Sequence, residues 1–98
     1  MIRGTTPTLT FKLPFDCSTI DLINISFAQH SKVLLEKDYY DCVINGNEIS
    51  VTLSEDDTLK FVSGEHAEIQ IRVGIGEQRF ASQIMKMGVK RVLKDGIL

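Results

Sequence analysis

Tryptophan is absent from the 98 residues, cysteine and histidine occur twice each, and neither sign of charge is in marked excess. Each scarcity excludes something. Without Trp, and with neither Cys17 nor Cys42 on a strand that would carry the inter-sheet bridge, the indole-on-disulfide core of antibody domains is not available. Two cysteines with no secretion signal read as reduced, packed thiols and not as a disulfide framework. No C-x-x-C pair occurs, and His30 and His66 lie far apart in what read as loops, so no metal site is expected. Eleven Lys and Arg against 13 Asp and Glu give a formal net charge of −2, which supplies no electrostatic reason to expect nucleic acid or an anionic membrane. Long hydrophobic runs are missing too. The opening Met-Ile-Arg-Gly-Thr-Thr-Pro lacks the apolar core of a signal peptide, and no stretch approaches the ~20 apolar residues of a membrane span.

What is present is alternation. Leu9, Phe11 and Leu13 alternate with Thr8, Thr10 and Lys12, the pattern of a half-buried strand, and Pro14 stops it because proline lacks a ladder donor. Ile23, Ile25 and Phe27 form a second strand. A three-residue loop from Gln29 would set Phe27 near Val33 and Ile25 near Leu35, and this register is favoured over a two-residue loop at His30-Ser31, which sets Ile25 against Glu36. Leu34 is then expected to point outward.

The stretch YDCVINGNEISVTL (Tyr40 to Leu53) carries the clearest turn signal. Asn45-Gly46 as the centre of a type I′ turn pairs Ile44 with Asn47, Cys42 with Ile49 and Tyr40 with Val51. Ser54 followed by Asp57 makes an imperfect capping box, predicting one helical turn over 54–59 with Leu59 and Phe61 beneath it. Ile69, Ile71 and Val73 give a clean strand, followed by a turn at Gly74 to Glu77. In the last strand Phe80, Ser82 and Ile84 share one face while Met85, Met87 and Val89 share the other, which a bulge near Ser82 or Gln83 would reconcile. The expectation is a single all-β domain over residues 1–98, an antiparallel immunoglobulin-like sandwich of about seven strands with one short helical turn.

Chemistry is sparse in the pattern. Glu55, Asp56 and Asp57 lack the alternating spacing of a calcium loop. Gly74-x-Gly76 lacks the third glycine and the following helix of a phosphate loop. No nucleophile elbow or ordered triad is present, so no catalytic residue, metal or cofactor is assigned and no enzyme is expected. Tyr39 and Tyr40, flanked by Glu36, Asp38 and Asp41, are a grouping that would suit sugar hydroxyls or a basic partner. Lys86, Lys90, Arg91 and Lys94 make a basic closing segment. Met85 and Met87 are adaptable side chains on a late strand, suited either to a contact surface or to the chain's own core. Tyr39, Met85 and Met87 are therefore the candidate contact residues.

Taken together, the opening MIRGTTPTLTFKLPFD, the hairpin DCVINGNEISVTLSEDDTLKF and the closing KMGVKRVL resemble small β-sandwich proteins encoded in tail modules of prophages of Gram-positive bacteria. Nearly the whole chain takes part, with Arg3-Gly4-Thr5-Thr6-Pro7 and Asp57-Thr58-Leu59-Lys60-Phe61 the most recognisable segments. The resemblance implies a tail-associated structural protein acting through protein–protein contacts, with other phage structural proteins or further copies of itself as partners. It also implies residence in the bacterial cytoplasm during assembly and then in the virion. The alternative function is a small carbohydrate or cell-surface binding module.

Overall fold

A computed structural model describes all residues from Met1 to Leu98. The protein is all-β and antiparallel, with strands β1 (Thr8–Lys12), β2 (Leu22–Gln29), β3 (Lys32–Asp38), β4 (Cys42–Asn45), β5 (Glu48–Thr52), β6 (His66–Ile75), β7 (Gln78–Ala81) and β8 (Met85–Gly88). One helical turn, α1 (Glu55–Leu59), follows β5, and a short 3-10 turn over Tyr39–Asp41 joins β3 to β4. Two sheets face one core: β1-β5-β4, and β3-β2-β6 with β7 and β8 both paired to the far side of β6.

Alternation located the core. Ile25, Phe27, Leu35, Ile69, Ile71 and Val73 from the larger sheet meet Phe11, Ile49 and Val51 from the smaller, all buried, while Leu9 and Ile44 pack half-buried against them. Phe27 is fully enclosed and meets Phe61 edge-on at 6.1 Å; burying such a ring is worth about 1.5–3 kcal/mol. Loops add core residues that no period reveals: Cys17, Ile20, Leu53 and Val89 are buried as well.

Turn geometry corrects the expected hairpins. The β4–β5 hairpin pairs Ile44 with Ile49 and Cys42 with Val51, so its loop is Gly46-Asn47 and the register lies two residues from the expected one. Only Gly46 has positive φ there, 61°, and glycine at the first central position is the requirement of a type II′ turn and not of type I′. A slip of two leaves every side chain on its face, so both registers bury the same inward set. Tyr40 consequently lies outside the ladder, on the 3-10 turn.

The β2–β3 hairpin does use the two-residue loop at His30-Ser31, with φ of 52° and 60°. A shift between Phe27 and Ala28 then places Phe27 opposite Leu35 and Ala28 opposite Val33. Leu34 is the extra residue, and it packs half-buried against the core instead of pointing outward. The bulge performs the phase change that a three-residue loop was expected to supply.

The last strand is two strands. Val73 pairs with Phe80 in β7, and Ile69 pairs with Met85 in β8, so three residues, 82–84, stand against two on β6. The expected extra residue is there, and Ser82 fills the break: its hydroxyl accepts from the Ile71 N–H at 3.1 Å and its own N–H donates to the Ile71 carbonyl at 2.9 Å.

The capping box at α1 formed as read. Ser54 Oγ accepts from the Asp57 N–H at 3.1 Å and Asp57 Oδ2 accepts from the Ser54 N–H at 2.9 Å. Asp57 also meets Lys37 Nζ at 2.8 Å, tying α1 to β3.

Candidate functional site

The two sheets are joined unequally along their sides. On one side the 3-10 turn carries the chain directly from edge strand β3 to edge strand β4. On the other, β1 and the β7/β8 edge face each other without pairing. Two contiguous depressions of about 340 and 270 Å³ run between them, sharing Lys12, Leu13, Ile71 and Ser82. Leu9, Phe11, Leu13, Met85 and Met87 line the first, and Phe15, Val73 and Phe80 the second.

Both ends of this seam are closed by specific contacts. At one end an N-terminal arm pairs in parallel with the segment after β8, bridging Ile2 and Lys90. The Met1 nitrogen donates to the Gly88 carbonyl at 2.9 Å, Lys90 N–H to the Met1 carbonyl at 2.8 Å, and Arg3 N–H to the Lys90 carbonyl at 3.0 Å. Arg3 then reaches the end of α1 and the segment after it, donating through Nη2 to the Leu59 carbonyl at 3.1 Å and through Nε to the Phe61 carbonyl at 2.7 Å. At the other end the Phe15 and Phe80 rings meet at a tilt of 45°, their centroids 5.2 Å apart. Between these closures the sheets stay apart.

Of the three candidate contact residues, the structure brings two together. Met85 is 37% exposed and Met87 half-buried, both on the seam. Tyr39 lies on the turn at the opposite side, beside Tyr40, which is 90% exposed and meets it edge-on at 5.5 Å. The acids around these tyrosines are largely occupied with backbone: Asp38 Oδ1 accepts from the Tyr40 N–H at 3.0 Å and Asp41 Oδ2 from the Asp38 N–H at 2.9 Å. Glu36 accepts from Asn24 Nδ2 at 3.2 Å. Two of the three carboxylates thus cap the turn and do not converge on a ligand position.

Leu9 and Leu13 line the first depression together with the two methionines, and Phe80 lines the second. Their alternation was visible; that β1 and β7 lie across a gap, with no strand between, required the topology.

Nucleophiles are muted. The Cys42 thiol is pushed up to about 11 by partial burial and then by the Asp41 and Asp38 carboxylates, partly offset by Lys37. Burial, followed by Asp16, raises Cys17 in the same direction. Both are free thiols, held in the protonated form that neither attacks nor binds metal well. No helix is long and apolar enough to cross a membrane, and no three His, Cys, Asp or Glu side chains converge as metal ligands would.

No protein-family model matches the chain, and neither does any curated protein or solved structure.

Proposed function

We propose that this protein is a structural component of the phage or prophage tail type that works by protein–protein contact, with the seam between β1 and the β7/β8 edge as its contact site. The observation that carries the reading is the seam itself: an apolar trough flanked by two strand edges. Unpaired edges beside exposed apolar side chains are where β domains recruit other chains. The resemblance of the opening, hairpin and closing segments to prophage tail proteins supplies the setting.

In this reading the two layers make a small sandwich, immunoglobulin-like in size and layering. Strand order differs from the immunoglobulin one, since β1 lies beside β5 and not beside β2.

The test uses Met85, which is already part-exposed. Met85→Asp is expected to leave the melting temperature within a few degrees of wild type while weakening association about tenfold or more. Analytical ultracentrifugation of the chain, alone and with the products of the genes flanking its own, reads the association. A strictly monomeric chain that binds none of them removes the proposal.

A further inference from the structure

We propose that the seam receives an extended segment of a second protein, with apolar and acidic residues in alternation, which adds as a fourth strand to the free edge of β1. This rests on the seam being a contact site and goes further by specifying what fits it.

The backbone sets the docking edge. Leu53 N–H donates to the Pro7 carbonyl and Leu13 N–H to the Asn47 carbonyl, and with Leu9 opposite Val51 and Phe11 opposite Ile49, positions 7, 9, 11 and 13 direct their peptide groups at β5. Thr8, Thr10 and Lys12 therefore direct theirs away from β5, into the seam, where no strand pairs with them. Three donors and three acceptors are thus arrayed at the spacing an incoming strand needs.

Side chains then dictate the composition of that strand. Alternate residues of an added strand point between the sheets, where Leu9, Leu13, Met85 and Met87 present apolar surface. The residues between them point outward, on the face of Lys12 and across from Lys86. Both lysines line the seam, no carboxylate does, and neither lysine belongs to an ion pair. Glu48 and Glu68 stand opposite them on their own ladders without closing to contact. Acidic side chains on the outward positions would meet both cations.

A second copy of this chain fits less well. Pairing β1 with β1 would gather Lys12 and Lys86 from both copies along one interface. Like charges across an interface are a penalty.

The probe is a short synthetic peptide alternating Val and Glu, end-blocked and labelled with fluorescein, titrated with the full chain and read by anisotropy. Its counterpart has Lys for every Glu. The acidic peptide is expected to bind, with affinity falling roughly tenfold between low and physiological salt, and the lysine peptide is not. Lys12→Glu combined with Lys86→Glu should exchange the preference. Thr10→Pro removes one seam-facing donor and none of the β1–β5 bonds, so it should weaken the acidic peptide about tenfold with the melting curve in place. Should Thr10→Pro unfold the chain, an acidic peptide N-methylated at alternate residues tests the same bonds from the ligand side and should fail to bind.

Equal binding of both peptides, binding of neither, or self-association abolished by Thr10→Pro each overturns the proposal. Flanking gene products that bind through Met85 while the acidic peptide does not would leave the contact site standing and remove only this partner chemistry. Failure of both removes the site as well.

Discussion

Thr58 is completely buried, and its hydroxyl does two jobs: it accepts from the Gly4 N–H and donates to the Thr5 carbonyl, each at 2.9 Å. A single side chain thereby ties the N-terminal arm to α1. Thr58→Val keeps the shape and strands both backbone groups, so a loss of about 1–3 kcal/mol is expected, read as a lowered urea midpoint. Asp57, next to it, gives a pH dependence. Burial alone would raise its carboxyl, but the Lys37 and Ser54 hydrogen bonds and the Lys37 charge outweigh burial and bring it below its ordinary value of 3.8. A carboxyl lower in the folded than the unfolded chain contributes stability that is complete above 3.8 and fades as pH falls through its folded value. The denaturation midpoint should therefore drop below about pH 4 in wild type, and Asp57→Asn should be less stable near neutrality with a flatter acid limb. An acid limb as steep in the variant as in wild type would assign the effect to other carboxylates.

At the scale of elements, face periodicity was legible and turn conformation was not. The inward sets of β1, β2, β5 and β6 could be read because burial of one face imposes a period of two, whatever the partner strand. Loop type depends on signs of φ that residue identity only biases. His30 and Ser31 both adopt positive φ, a strained conformation that is uncommon away from glycine. The two-residue loop reads as disfavoured because, without a bulge, it sets Ile25 against Glu36, and nothing local signals the Leu34 bulge that restores the phase. The same strain makes a prediction: Ser31→Gly relieves it and should stabilise the domain by about 1 kcal/mol, visible as a higher midpoint with unchanged slope. The seam was partly legible for a related reason. Met85 and Met87 announced an apolar face on a late strand, but that β1 would face it across a gap follows from β1 choosing β5, a contact between residues far apart in the chain. Nothing local encodes that choice. Tyr39, conspicuous in sequence, owes its position to a capped 3-10 turn whose acids serve the backbone.

The whole molecule measures 44 × 27 × 17 Å with a radius of gyration of 14.0 Å, somewhat above the ~12.5 Å of a compact chain this long. The long closing segment contributes: Leu93 is 91% exposed and Ile97 57%, and its anchors are the Arg3–Asp95 ion pair at 2.7 Å and Leu98 N–H on Glu55 at 3.0 Å. Its exposed pairing is worth little in water. The arm is different. Because residues 1–3 run parallel to residues 88–90, tension applied at opposite ends of the chain pulls these two segments past each other along their length. The three hydrogen bonds between Met1, Arg3, Gly88 and Lys90 then carry the load together and must fail together, whereas tension perpendicular to the strands would break them singly. The domain is thus built to resist stretching in one direction. Lys90→Pro deletes one of the three bonds at an edge and should lower the rupture force in single-molecule pulling far more than it lowers the melting temperature. Equal forces for the two proteins would place the mechanical clamp elsewhere in the sheet. Such a clamp decides whether the chain transmits a pull along this axis or is unravelled by it.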